Sequence, residues 1–183
     1  MLSHVIIIAL LVLFLIWFVS NYNKGIQFKN YVKEAFSTMD VYLKKRWDLI
    51  PNLIETTKAY TQYEKTTFEQ ITKLRNLNYN TMSENEKMDV NTKLSSGLAK
   101  IIAVAENYPE LKANENFQKL MSELSSIEDE IAKSRKYYNG CAREFINYLE
   151  LFPTNIIGMI FNFEKPKFYE IEDSQRENVK VEF

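Results

Sequence analysis

Cysteine and histidine are nearly absent: the 183-residue sequence has one of each, Cys141 and His4. A lone cysteine cannot form an internal disulfide, so the fold needs no oxidising compartment. Zinc sites made of cysteine and histidine, and di-iron sites made of Glu-x-x-His pairs, are excluded. Because His4 precedes the apolar segment, no serine–histidine or cysteine–histidine couple can form in the rest of the chain. We therefore predict no metal site and no cofactor.

Glycine and proline are also scarce, at four residues each, which disfavours a loop-rich or all-β fold and favours long helices. The glycines are isolated in the sequence, so neither a Walker loop nor a dinucleotide-binding loop can be built. The net charge of −1 provides no global field for nucleic acid, and aromatic residues do not interleave with basic ones in a nucleic-acid-binding pattern. No nucleic-acid partner is predicted.

One long apolar run is present. Residues 5–19 are uninterruptedly apolar and, with residues 1–4 and 20–22, approach the roughly 30 Å of a bilayer core. Trp17 and Tyr22 stand where aromatic rings prefer the membrane interface. A cleaved signal peptide is the alternative, but residues 1–4 carry no lysine or arginine and no A-x-A-like site follows the run. We predict that residues 1–23 are a retained transmembrane anchor in contact with membrane lipid.

Flanking charge predicts the orientation of this anchor. Lys24, Lys29 and Lys33 follow the apolar run, whereas residues 1–4 contain no lysine or arginine. The positive-inside bias then places the C-terminal body in the cytoplasm and the N-terminus outside.

The rest of the chain has helical periodicity and few breaks. We predict helices over 26–49 and 51–78, a third that begins with the Ser83–Glu86 capping box, and a fourth that Asn114 caps. Pro51 is predicted as the helix break where the first two helices meet. Residues 24–152 would form an antiparallel four-helix bundle. In the alternative, Pro51 is a kink inside a long first helix, and three helices remain.

Two segments follow the predicted bundle. Residues 153–169 are apolar on nearly every side and too short to span a membrane. They could cap the open end of the bundle, or lie in the membrane interface with Lys165 and Lys167 at the headgroups. The charged tail over 170–183 is predicted to be disordered.

Three stretches resemble one known family. They are DVYLKKRWDLIPNLIETTKAY at 40–60, the block at 95–139 that begins SSGLAKIIAVAENYPEL, and FPTNIIGMIF at 152–161. Together they are similar to the LemA family of bacterial membrane-attached proteins. The resemblance implies an N-terminal membrane helix followed by a helical bundle, and it implies no activity.

A polar residue on an apolar stripe is a candidate interior site. Arg135 falls where the spacing of the fourth helix calls for an apolar side chain, and a buried arginine without a partner is costly. Glu64 is the preferred partner and Asp40 a second one. A ligand or proton-handling site is one interpretation, and a structural ion pair that fixes helix register is the favoured one.

The basic run Lys44, Lys45 and Arg46, together with Asn52, is a candidate contact for a partner protein. A solvated face is the simpler interpretation, and acidic lipid is disfavoured because the run lies roughly 30 Å beyond the span.

The acidic run 128–130 is likewise predicted to be a solvated face, and Cys141 is predicted to be a small core residue. The tyrosines are expected to bury their rings at helix edges or, alternatively, to form a binding groove: Tyr60, Tyr63, Tyr108, Tyr137, Tyr138 and Tyr148.

These features favour an all-α, single-pass membrane protein that acts as a non-enzymatic interaction or scaffold module of the bacterial cell envelope. Its partner would be an unknown protein or a second copy of the chain. The alternative is a ligand sensor or enzyme with an interior site of arginine, glutamate and tyrosine.

Overall fold

The computed structural model describes residues 1–58, 71–74 and 76–170, except for the side chain of Val104, and these residues contain helices and no strand. The all-α prediction is therefore confirmed. Residues 71–74 are also helical. The named elements are α1 (Leu2–Lys58), a 3-10 turn (Tyr79–Thr81), α2 (Glu84–Glu106), α3 (Pro109–Lys112), α4 (Glu115–Glu150) and α5 (Thr154–Ile160).

The predicted helix break at Pro51 is wrong, because α1 continues through Pro51 to Lys58. Proline removes one backbone hydrogen bond from a helix interior. Here the ring is exposed, while Ile50, Leu53 and Ile54 beside it are buried. Burial of these side chains stabilises the helix on both sides of the proline, as in the long-first-helix alternative. Residues 59–70 and 75 of the predicted second helix lie outside the described residues, so the four-helix bundle stays a prediction.

The predicted helix starts are confirmed by their caps. The Ser83 backbone N–H donates to Glu86 Oε2 over 2.8 Å, and the Glu86 N–H donates to Ser83 Oγ over 3.3 Å, which is a reciprocal capping box. The Phe117 N–H donates to Asn114 Oδ1 over 3.0 Å at the start of α4. Between α2 and α4, Pro109 begins the additional short helix α3.

The chain divides into two compact units, to both of which α1 and α4 contribute. The first unit comprises residues 1–37 and 135–168, and the second comprises the described residues of 38–134 and 169–170. In the second unit the core is built from apolar stripes of α1, α2 and α4. Its largest fully buried side chains include Arg46, Trp47, Leu43 and Ile101.

Aromatic side chains dominate the first unit. Tyr138 and Tyr148 are buried, and their hydroxyls donate to the carbonyls of Lys167 over 2.8 Å and Asn21 over 2.6 Å. For these two tyrosines, the predicted burial with a bonded hydroxyl is confirmed. Tyr137 is exposed, and Tyr60 and Tyr63 lie outside the described residues.

The first unit also holds the apolar start of α1, which is long and apolar enough to cross a membrane. Residues 1–16 are exposed along their whole length. Gly25 is the first buried position, because α1 there approaches aromatic rings closely. A Cβ at Gly25 would lie 2.6 Å from Phe163 Cε2 and 3.0 Å from Tyr148 Cε1.

We expect Gly25→Ala to destabilise the protein. The new methyl group would displace two packed rings, at a cost of about 1–3 kcal/mol, and the higher helix propensity of alanine offsets only about 0.5–1 kcal/mol of this. The measurement is unfolding of the full chain in mild detergent, followed by circular dichroism.

Gly140→Ala is the matched control, because it also places alanine in a helix interior but meets no atom within 4 Å. It should be neutral or raise stability. Equal effects of the two substitutions would contradict the close approach at Gly25.

Candidate functional site

Arg46 is the centre of a polar cluster inside the second unit. Its side chain is 1 % exposed. Nη1 donates to Glu128 Oε1 over 2.7 Å and to Ser95 Oγ over 2.8 Å. Nη2 donates to the Asn91 carbonyl over 2.8 Å and to Asn91 Oδ1 over 2.9 Å. A planar guanidinium with two donating ends suits such a multi-partner site, which lysine could not reproduce. The buried Nε has no hydrogen-bond partner in the described part of the chain.

Helix α2 supplies three of the four acceptor atoms that Arg46 binds, and Glu128 of α4 supplies the fourth. Lys87, Asn91 and Ser95 follow one another at intervals of four residues and so share one face. Asn91 Nδ2 donates to the Lys87 carbonyl over 2.9 Å, and Ser95 Oγ donates to the Asn91 carbonyl over 3.2 Å. These bonds hold the acceptors in place on the helix that faces Arg46.

Asp40 of α1 lies in a second polar group with Lys87 of α2 and Tyr79 of the 3-10 turn. Lys87 Nζ donates to Asp40 Oδ2 over 2.6 Å, and the Tyr79 hydroxyl donates to Asp40 Oδ1 over 2.6 Å. The Tyr79 ring stands 5.1 Å from the Trp47 ring, and Lys87 Nζ lies 4.9 Å from the Tyr79 ring centroid. Burial of Tyr79, and then its bond to the Asp40 carboxylate, raise the pKa of the phenol well above its usual value.

The predicted partner-contact residues lie in two different environments. Lys45 and Asn52 are exposed, and Lys44 is partly exposed and paired with Asp48. Arg46, by contrast, is buried, so its assignment to a solvated face or a partner contact is wrong. Glu128 was predicted to be solvated with its neighbours, but it turns one carboxylate oxygen to Arg46 while remaining 40 % exposed.

The predicted interior pair is not decided by the structure. Arg135 is partly exposed in the first unit, and Glu64 lies outside the described residues, so their pairing stays a prediction. Asp40, named as a second partner, binds Lys87 and Tyr79. Cys141 is only partly buried.

A heptad pattern could have identified Arg46 and Asn91. The buried positions of α1 alternate in spacing between four and three residues, as helix–helix seams do: Val32, Phe36, Met39, Leu43, Arg46, Ile50, Leu53 and Thr57. On α2 the same alternation joins Asn91, Leu94, Leu98, Ile101 and Ala105.

The cluster holds the packed helices in one register. Two polar seam residues face each other and a carboxylate compensates the buried charge, an arrangement that fixes the register of packed helices. Beside it lies an open cavity of about 470 Å³ lined by Lys44, Trp47, Tyr79 and residues 76–78 and 80.

Comparisons with known proteins match this chain to one family model and to individual proteins. A family model described as the LemA family matches residues 35–183. Protein LemA of Metamycoplasma hominis is 22 % identical over 163 residues, which cover 88 % of this chain and 74 % of that protein. Magnetosome protein MamQ 2 of Paramagnetospirillum magneticum is 27 % identical over 75 residues, which cover 41 % of this chain and 28 % of that protein. MamQ of Magnetospirillum gryphiswaldense is 24 % identical over 74 residues, 40 % of this chain and 27 % of that protein.

We expect Glu128→Leu to destabilise the protein more than Arg46→Met. Loss of the carboxylate leaves a buried cation without a counter-charge, at a cost of about 3 kcal/mol or more. Loss of the arginine removes the buried charge and leaves a partly exposed carboxylate that water can reach, at a cost of about 1–3 kcal/mol. Denaturant unfolding of the full chain in detergent measures both, and the double variant should be more stable than Glu128→Leu alone.

The exposed Lys44–Asp48 pair provides the control. Lys44→Met should change stability by less than about 1 kcal/mol, because water already screens this pair. If Arg46→Met proved the more damaging of the two cluster variants, uncompensated charge would not be the dominant cost.

The raised pKa of the Tyr79 phenol predicts a loss of stability at alkaline pH. Its folded-state pKa lies above the value of about 10 for a free phenol, so the folded protein holds the proton more tightly than the unfolded chain does. The stabilisation is full below pH about 10 and declines as the pH rises beyond it. Tyr79→Phe should cost about 1–3 kcal/mol at neutral pH and should flatten the decline above pH 10.

Unfolding free energies at pH 7, 9, 10 and 11 test this effect. Tyr31→Phe removes an exposed phenol and serves as the control. A decline as steep in Tyr79→Phe as in the wild type would exclude Tyr79 as its source.

Proposed function

The chain belongs to the LemA family, and on that premise we propose that it is a single-pass, membrane-anchored helical protein that acts as a non-enzymatic interaction module of the bacterial cell envelope. Its membrane contact is lipid around residues 1–23. Its second contact is a protein, either a different chain or another copy of this one.

The proposal rests on a change along α1 from exposed apolar residues to a buried seam. Residues 1–16 are exposed, and almost all of those from Leu2 onward are apolar. From Val32 onward the same helix buries a heptad seam. An exposed apolar run of this length is stable in lipid and costly in water. One continuous helix thus supports both an anchor and a packed body.

The exposed face of α1 supports the interaction role. Opposite the seam, exposed residues recur at alternating spacings of four and three: Val41, Lys45, Asp48, Asn52 and Glu55. This face offers mixed charge, an amide and one apolar side chain that is 53 % exposed. The interior polar groups, by comparison, largely bind one another, which leaves surfaces as the means of recognition.

Charge next to the anchor supports an orientation with the body in the cytoplasm. Lys24, Lys29 and Lys33 are exposed and follow the apolar run, whereas residues 1–4 contain no lysine or arginine. The positive-inside bias favours the side that carries these residues as cytoplasmic.

We expect a photoreactive amino acid at Lys45 or Asn52 to form an adduct with a protein in native membranes. The two positions lie seven residues apart on one helix face, so both should capture the same partner. Immunoblotting and mass spectrometry of the full chain would identify the adduct. A mass of twice the chain would identify a second copy.

Lys93, exposed on α2, is the control position and should give no such adduct. Equal capture at all three positions, or none at Lys45 and Asn52, would contradict the proposed contact face. In the same cells, labelling of Cys141 by a membrane-impermeant maleimide before lysis would contradict the orientation.

A ligand sensor is the second candidate, because of the cavity that Trp47, Tyr79 and Lys44 line. An aromatic wall with amide and ammonium groups suits a small polar ligand. A polar metabolite that raises the unfolding temperature of the wild type, but not of Trp47→Phe, would favour this alternative.

A further inference from the structure

Helix α5 has two unlike faces. Ile157 and Gly158 are buried, and a Cβ at Gly158 would lie 2.9 Å from Leu149 Cδ2 of α4. On the other face Ile156, Met159 and Ile160 are exposed at spacings of three and four, and Met159 is 67 % exposed. Leu151 and Phe152, just before the helix, are exposed as well. The first unit therefore presents a contiguous group of apolar side chains that its own packing leaves uncovered.

The end of α5 fixes this face beside α1. Asn162 adopts a positive φ of 50°, and the N–H groups of Phe163 and Asn162 donate to the carbonyls of Gly158 over 3.0 Å and Met159 over 3.4 Å. This is the Schellman arrangement, with asparagine in the left-handed position where glycine is usual. The turn directs the chain back toward α1. The centroid of the Phe161 ring lies 4.4 Å from that of Tyr22 and 6.0 Å from that of Phe18.

Phe18 and Tyr22 mark the level at which the anchor leaves the hydrocarbon. The apolar run ends at Val19, and Ser20, Asn21 and Lys24 follow it. Over these few residues α1 rises only about 6 Å, so the boundary between acyl chains and headgroups passes close to them. Phe161 contacts both rings and therefore lies at the same depth.

We propose that the exposed face of α5, with Leu151 and Phe152, inserts into the interface of the bilayer that α1 crosses, so that the protein holds the membrane at two points. This inference rests on the membrane anchor proposed above. The occupant is lipid, because Phe161, at the end of α5, contacts Phe18 and Tyr22 at the end of the apolar run of α1 within the same unit. Lys165 and Lys167 follow α5 and are exposed, and Lys165 also pairs with Glu150 over 2.8 Å. Lysines that follow an interfacial helix can extend to lipid headgroups.

The test places an environment-sensitive fluorophore on Met159→Cys in a Cys141→Ala background. The full chain is reconstituted into vesicles of phosphatidylcholine and phosphatidylglycerol, some with a nitroxide at the upper acyl chain. We expect blue-shifted emission and quenching of at least twofold by the nitroxide lipid. Adding Ile156→Asp and Ile160→Asp to the labelled protein should abolish most of the quenching, because both side chains are exposed and their replacement leaves the packing against Leu149 intact.

Two further labels make the outcomes separable. Val12→Cys, within the apolar run, reports on the anchor, and Tyr137→Cys, exposed on α4, should remain water-like. Quenching at position 12 without quenching at position 159 would overturn the inference while the anchor stands. Absence of quenching at position 12 would overturn the anchor itself. Blue-shifted emission at position 159 without lipid quenching would mean that protein covers the face, and would also overturn the inference.

Discussion

The buried guanidinium of Arg46 is the constraint on which the packing of the second unit depends. A cation that is almost inaccessible to water is tolerable only where acceptors are already in place. Asn91, Ser95 and Glu128 provide them from α2 and α4 at 2.7–2.9 Å. Any sliding of α1 against α2 would separate the arginine from these acceptors, whereas a purely apolar seam could shift by a heptad and still bury its side chains. The cluster therefore selects one register among several that hydrophobic burial alone would allow.

This use of the interior bears on function. Asp40, Lys87 and Tyr79 bind one another, and Arg46 occupies the neighbouring acceptors. Removing one of these groups would leave another without its counter-charge, so the polar interior of this unit contributes to helix register. The interaction role proposed above rests on exposed surfaces instead, namely the exposed face of α1 and the apolar face of α5.

The helix caps were predictable from the sequence, whereas the features that depend on tertiary packing were not. The capping box at Ser83 and the cap at Asn114 follow from side chains that bond within one turn, so a short stretch determines them. Pro51 was misjudged because its local cost is opposed by burial of Ile50, Leu53 and Ile54 against other parts of the chain, which proline chemistry alone does not reveal. Arg46 was misjudged because adjacent positive charges usually indicate solvent, although the heptad spacing was available. Glu64, the predicted partner of Arg135, lies outside the described residues.

The first unit satisfies its buried polar groups in a different way from the second unit. This difference suits a position at a membrane boundary. Its buried polar groups include neutral tyrosines whose hydroxyls donate to backbone carbonyls, Tyr148 to Asn21 and Tyr138 to Lys167. Burial raises the pKa of the Tyr148 phenol above its usual value, so the group stays neutral. A neutral donor bonded to a carbonyl loses little when nearby water gives way to lipid, whereas a buried ion pair would become costlier as the dielectric constant falls. Aromatic rings with a bonded polar end are also the side chains that the interface favours. The composition of this unit is thus consistent with a position where one side is wet and the other is not.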